Sequence, residues 1–243
     1  MIKFFRSIRK KLIDQGKTSN YLKYAIGETV LVVIGILIAL QINNANEISK
    51  QNQQVKKYEQ NIVSELKNDL KMLNSLDSFN ITQCQKIVNY ISYFKNPTRD
   101  TDTVIKKMYD IRYNGASYRS IAYTIDEIIS TGNLSLFSLE KKTAILELKA
   151  IQEFYEKNRI EVEQKWTLSN IEFEKAIDLI SFNDFSQSDF NSLNDWRFNL
   201  KSEQYRLFNN KILAELRLYY FRTDQNNQMR NQTEKLLQLL DNN

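Results

Sequence analysis

The sequence predicts an all-α protein, with one N-terminal transmembrane helix continuing into an elongated antiparallel helical bundle of three long helices with short capping helices. Three observations predict it. One apolar run has the length of a bilayer core. Apolar residues recur at spacings of three and four through most of the remaining chain, and five Gly and one Pro in 243 residues leave little material for hairpin turns. The expected organisation is a basic flank over residues 1–20, a transmembrane helix over 21–43 and a helical bundle over 44–243.

The flank carries Lys3, Arg6, Arg9, Lys10, Lys11 and Lys17, joined at the edge of the span by Lys23, against Asp14 alone. Ile2, Phe4, Phe5, Ile8 and Leu12 are interleaved at near-helical spacing, so the segment reads either as an interfacial helix in the inner leaflet or as a disordered basic tail. Beyond Ile42 acidic and basic residues cancel, and the formal net charge of +5 resides at the flank. Lys and Arg close to a span mark the cytoplasmic side and attract anionic lipid. The distribution therefore predicts a cytoplasmic N-terminus and a periplasmic C-terminal domain. The basic residues are expected to meet inner-membrane lipid, not nucleic acid.

The apolar run is Tyr24 to Ile42. At ~1.5 Å per residue it covers roughly 28 Å, close to the ~30 Å of a hydrocarbon core. A long basic region, Glu28 within the run, and the poor cleavage site Asn43-Asn44-Ala45 favour an uncleaved anchor over a signal peptide. Turning 100° per residue, Glu28, Gly35, Ala39 and Ile42 fall within about 60° of one another. One acidic residue and a small-x-x-x-small pair thus share a face, which is expected to contact a second copy or a membrane partner. The alternative for Glu28 is a carboxyl near the head groups that snorkels or is protonated.

The run from Tyr21 to Glu47, YLKYAIGETVLVVIGILIALQINNANE, preceded by MIKFFR, resembles the N-terminal signature of an uncharacterised membrane-protein family of Bacteroidota. The resemblance is specific over residues 1–47 and looser around Ser130 to Leu136. It departs at Ala45, where the family usually carries Trp, so an interfacial aromatic anchor is missing. It implies a Gram-negative inner-membrane setting and no chemistry.

Past the span, Val55, Tyr58, Ile62, Leu66, Leu70 and Leu73 form a helical stripe, resumed by Ile81, Cys84, Val88 and Ile91 before Asn96-Pro97. One helix to about residue 95 is expected, with Asp77 to Asn80 as its weak point. Asp102 is the expected N-cap of a short helix through Ile111, Asn114-Gly115 a turn, and Arg119 to Ser130 a second short helix ending at Gly132. These two read as a cap. Ser138 caps a long helix to about Ser181, expected to return toward the membrane, which would bring Phe182 to Phe190 to roughly 15 Å above it. Those rings, with Trp196 and Phe198, either plug the bundle or touch head groups. The last helix, from Asn199 or Ser202 to Leu240, has a middle, Thr223 to Thr233, with almost no apolar face; it reads as solvent-exposed or as paired with another molecule.

Composition removes whole classes of chemistry. With no His there is no His base, His-ligated metal or phosphorelay His, and with one Cys there is no intramolecular disulfide. Cys84, on an apolar stripe, reads as a core thiol, with an intermolecular disulfide or a nucleophile as the alternatives. Glu161 and Glu163, like Glu172 and Glu174, are two apart on a helix and point away from each other, which is wrong for a shared metal or a carboxylate pair. No catalytic residue, cofactor or metal is expected. The sequence thus predicts a membrane-anchored interaction or sensing protein, acting through a protein partner or as a homo-oligomer. The alternatives are a small oligomeric channel or transport accessory centred on Glu28, or an enzyme using carboxylates, Tyr or Cys84.

Overall fold

The computed structural model describes Arg6, Lys10 and residues 18–113, 115–183 and 195–241. All regular structure among them is helical. Six α-helices follow one another: α1 (Thr18–Phe94), α2 (Thr101–Asp110), α3 (Tyr123–Ser130), α4 (Leu139–Lys175), α5 (Leu179–Asn183) and α6 (Glu203–Asp241), with single 3₁₀ turns at Asn133–Leu136 and Trp196–Phe198. The chain divides into two compact units, Met1–Tyr58 and Glu59–Asn243, and α1 passes through both.

In the first unit α1 buries nothing along its apolar run. From Val30 to Ile42 its large apolar side chains are 45–66% exposed. Its best window has a mean hydropathy of 2.3, and it is the one helix among the described residues long and apolar enough to cross a membrane. The interfacial helix expected over Met1 to Leu12 lies outside the described residues except for Arg6 and Lys10, which are helical and exposed.

In the second unit α1 runs unbroken through Asp77 to Asn80. The reason is tertiary. Asp77 accepts from Asn226 Nδ2 at 2.6 Å and pairs with Arg230, so a stretch with weak helix propensity is held by α6. The buried stripe also differs from the expected one. Asn80, Gln83, Ile87 and Tyr90 are buried, whereas Ile81 and Val88 are exposed and Cys84 is half-buried. The middle of α6 is corrected in the same way: Gln225, Asn226, Met229 and Thr233 are buried within this chain, facing neither solvent nor another molecule.

The directions of the helices follow from paired side chains. Phe79 meets Tyr219, Tyr90 meets Phe208 and Phe94 meets Tyr205, so α6 runs antiparallel to α1. Lys235 bonds Glu147 and Phe173 meets Phe208, so α6 also runs antiparallel to α4. Lys141 pairs with Glu59 at 2.7 Å, and therefore α4 runs parallel to α1 instead of returning beside it. The return leg is residues 95–130: Lys86 bonds Asp110, Gln83 bonds Arg112, Asp69 bonds Ile121 and Glu65 bonds Thr124, stepping back along α1. What read as a cap is a full leg, broken in its middle. Phe182 and Trp196 consequently stack at the Phe94 end of the unit, not at the Glu59 end where a returning helix would have put them. Phe185 and Phe190 lie outside the described residues.

Local sequence explains the ends. Asp100, not Asp102, caps α2 by accepting from Thr103 N at 2.9 Å, and Ser138 caps α4 as expected. Gly132 takes φ 76°, the left-handed turn that ends the α3 segment. Residues 111–113 and 115–122 are irregular, where the second short helix was expected to begin at Arg119. Asn114, half of the expected turn, lies outside the described residues.

Candidate functional site

Two buried polar assemblies lie inside the second unit. The first holds the irregular leg. Unwound backbone leaves amides without helical acceptors, and a buried N–H must find one. Glu65, Asp69 and Gln83 lie on one side of α1 and supply them. Gln83 Oε1 accepts from Arg112 N at 3.0 Å, Asp69 Oδ1 from Ile121 N at 3.1 Å, and Glu65 from Thr124 N and Oγ1 at 3.1 and 2.7 Å. Tyr118 Oη donates to Asp69 Oδ2 at 2.8 Å. Burial pushes the Asp69 carboxyl up to about 6, against the lowering effect of those donors and with a further push from Glu65.

The second assembly opens into a cavity of about 410 Å³ between the irregular leg and α6, bordered by Phe182. Tyr109, Tyr113, Phe182 and Phe208 supply its rings, and Arg112, Lys211 and Glu215 its charges. The rings are fixed from behind: Tyr113 stacks on Trp166 at 4.0 Å and 14°, and Tyr109 Oη accepts from Arg197 at 2.9 Å. Glu215 is 1% exposed and its Oε1 has no hydrogen-bond partner. Burial raises the Glu215 carboxyl, opposed by Lys211, Tyr219 and Arg222. Burial lowers the Lys211 ammonium, opposed by Glu215 and Glu174. Perturbed titratable groups in a cavity with convergent polar atoms are the usual marks of a binding site.

The residues singled out from the sequence lie elsewhere. Gly35, Ala39 and Ile42 are exposed on α1 and Glu28 is half-exposed there; a Cβ at Gly35 would meet nothing within 4 Å. Lys23 is exposed, as are Arg6 and Lys10, whereas Lys3, Arg9, Lys11 and Lys17 lie outside the described residues. Cys84 borders a surface groove with Ile81, Val88 and Tyr220, and burial raises its thiol. Glu161 pairs with Lys165 and Glu174 accepts from Asn170 along their own helix, whereas Glu163 pairs with Arg159 on α4 and, at 3.8 Å, with the buried Arg222 of α6. No group of three or more metal-ligating side chains occurs among the described residues.

Sequence reading missed Lys211 and Glu215. A Lys and a Glu four apart are ordinary on a solvated helix face. The available signal was their phase: Phe208, Ile212 and Tyr219 lie on the same side of α6.

The class is thus an all-helical protein with one N-terminal helix fit to cross a membrane. Residues 28–132 match the model of a family of unknown function, DUF6090, consistent with an uncharacterised family. The match takes in the apolar run from Glu28 on, all of α1 beyond it, and the whole return leg with its Glu65 and Asp69 clasp. No curated protein and no solved structure matches the chain.

Proposed function

We propose that this is a single-pass inner-membrane protein whose helical domain lies in the periplasm as an elongated bundle and works by association or sensing, not by catalysis. The observation that carries the reading is the contrast within α1. Its apolar run from Leu22 to Ile42 leaves large apolar side chains exposed, a surface suited to lipid or to another membrane helix. The surplus of Lys and Arg before that run supports a cytoplasmic N-terminus. The shared face of Glu28, Gly35, Ala39 and Ile42 supports a homo-oligomer or a membrane partner as the associated species. Reporter fusions test the orientation: a periplasm-dependent reporter after Asn243 is expected to be active, and a silent one there with an active one at Met1 overturns it. Cross-linking in intact membranes followed by co-purification tests association, and recovery of the monomer alone would count against it.

A further inference from the structure

The Lys211 cavity has a composition that selects a ligand class. Its volume of about 410 Å³ suits a small molecule. Four aromatic rings border it, two of them locked by stacking or hydrogen bonding to side chains behind, so a flat apolar body fits better than a flexible chain. The formal charges on its wall are Arg112 and Lys211 against Glu215, and a cationic ligand would meet two cations. The preference of ring faces for cations is already served in part by Lys211 itself, whose Nζ sits 5.3 Å from the centre of the Phe173 ring.

Glu215 is the second observation. Its carboxyl is almost fully buried, and its Oε1 has no hydrogen-bond partner, which makes it a polar atom still to be satisfied. Lys211 stands one helical turn away, itself desolvated. A carboxylate that accepts from Lys211 and shares a proton with Glu215 would satisfy both.

We infer that this cavity binds a small aromatic carboxylate, with its ring among Tyr109, Tyr113, Phe182 and Phe208 and its carboxylate held by Lys211 and Glu215. A bound carboxylate accepts from the Lys211 ammonium and shares with the Glu215 carboxyl one proton taken up on binding, the arrangement in which two neighbouring carboxyl groups hold a proton between them. The inference deepens the sensing reading by naming what is sensed, but it does not depend on the orientation of the domain. A failed reporter assay would leave it standing, and failed binding would leave the topology standing.

The test is calorimetric titration of the full-length protein in detergent micelles, with empty micelles as baseline. Three probes are compared: 2-naphthoate, its cationic counterpart 2-naphthylmethylamine, and the aliphatic octanoate. The expected result is saturable one-site binding of 2-naphthoate, with both other probes weaker by about tenfold or more, as loss of a charge-assisted bond or of ring contact implies. Lys211→Met is expected to weaken 2-naphthoate about 10-fold to 100-fold. Lys211→Arg and Glu215→Gln, which keep a donor in place, are expected to retain most of the binding. Absence of saturation by 2-naphthoate overturns the inference, as does equal binding of the amine, or unchanged binding by Lys211→Met with wild-type circular dichroism. If Lys211→Met fails to fold, Glu215→Gln and the probe comparison decide by the same criteria.

Discussion

Two stretches of α1 have the same backbone geometry and treat their apolar residues in opposite ways. Between Tyr24 and Ile42 the helix is apolar on nearly every side, Glu28 apart, and its large side chains stay exposed. Between Ile62 and Tyr90 it is polar on most of its surface, yet Ile62, Leu66, Leu73, Ile87 and Tyr90 are 0–1% exposed. Apolar content therefore does not decide what is buried within the chain. Periodicity does, because a stripe tells the helix which side to turn inward, whereas a uniform surface has no inside and suits lipid. The periodic stretch also carries polar residues on its inner side, and it buries them against partners.

The largest effect that would sharpen this contrast is a cavity in the periodic stretch. Leu73→Ala is expected to cost about 2–5 kcal/mol in denaturant unfolding of the full chain followed by Trp fluorescence. Leu31→Ala in the uniform stretch is expected to stay within about 0.5 kcal/mol in the same measurement. Equal losses at the two positions would break the comparison.

Next comes the polar side of the same stripe. Asp77→Ala leaves Asn226 Nδ2 without its acceptor and Arg230 without its carboxylate, with Asn74 and Asn227 still accepting from it, and is expected to cost about 1–3 kcal/mol. The double variant with Arg230→Met should recover part of that loss, and strict additivity would show that the two side chains do not work as a pair.

Asp69 is expected to make stability depend on pH. Its carboxyl sits at about 6 in the folded chain and near the usual 3.8 when unfolded. The folded state therefore holds the proton more tightly. The stabilisation is complete below about pH 4, is lost as pH rises through about 6, and is constant beyond. Allowing for solvent screening, the difference between wild type and Asp69→Asn should change by roughly 1–2 kcal/mol over that window. A pH-independent difference between the two unfolding curves would refute the assignment.

The smallest effect belongs to the uniform stretch. Gly35→Ile is expected to weaken self-association of the span by about 1 kcal/mol in a membrane two-hybrid assay, with Glu28→Gln largely neutral and Glu28→Leu weakening. If none of the three changes association, the shared face is incidental.

The sequence by itself determined the helices, because their signals are local: spacing, Ser138 at a cap, Gly132 past an end, and an uninterrupted apolar run. It also determined the absence of His chemistry. Tertiary structure alone decided the direction of α4, which rests on Lys141 meeting Glu59, and the role of residues 95–130 as a leg. It alone decided which polar residues go inside. Asn226 and Thr233 lie in a stretch that read as solvent-exposed or as paired with another molecule, because hydropathy measures a side chain against water and not against the partner it will meet within the chain. The cavity was illegible for the same reason: Lys211 and Glu215 are a common helical pair until Tyr109, Tyr113 and Phe182, distant in sequence, come together with them around one cavity.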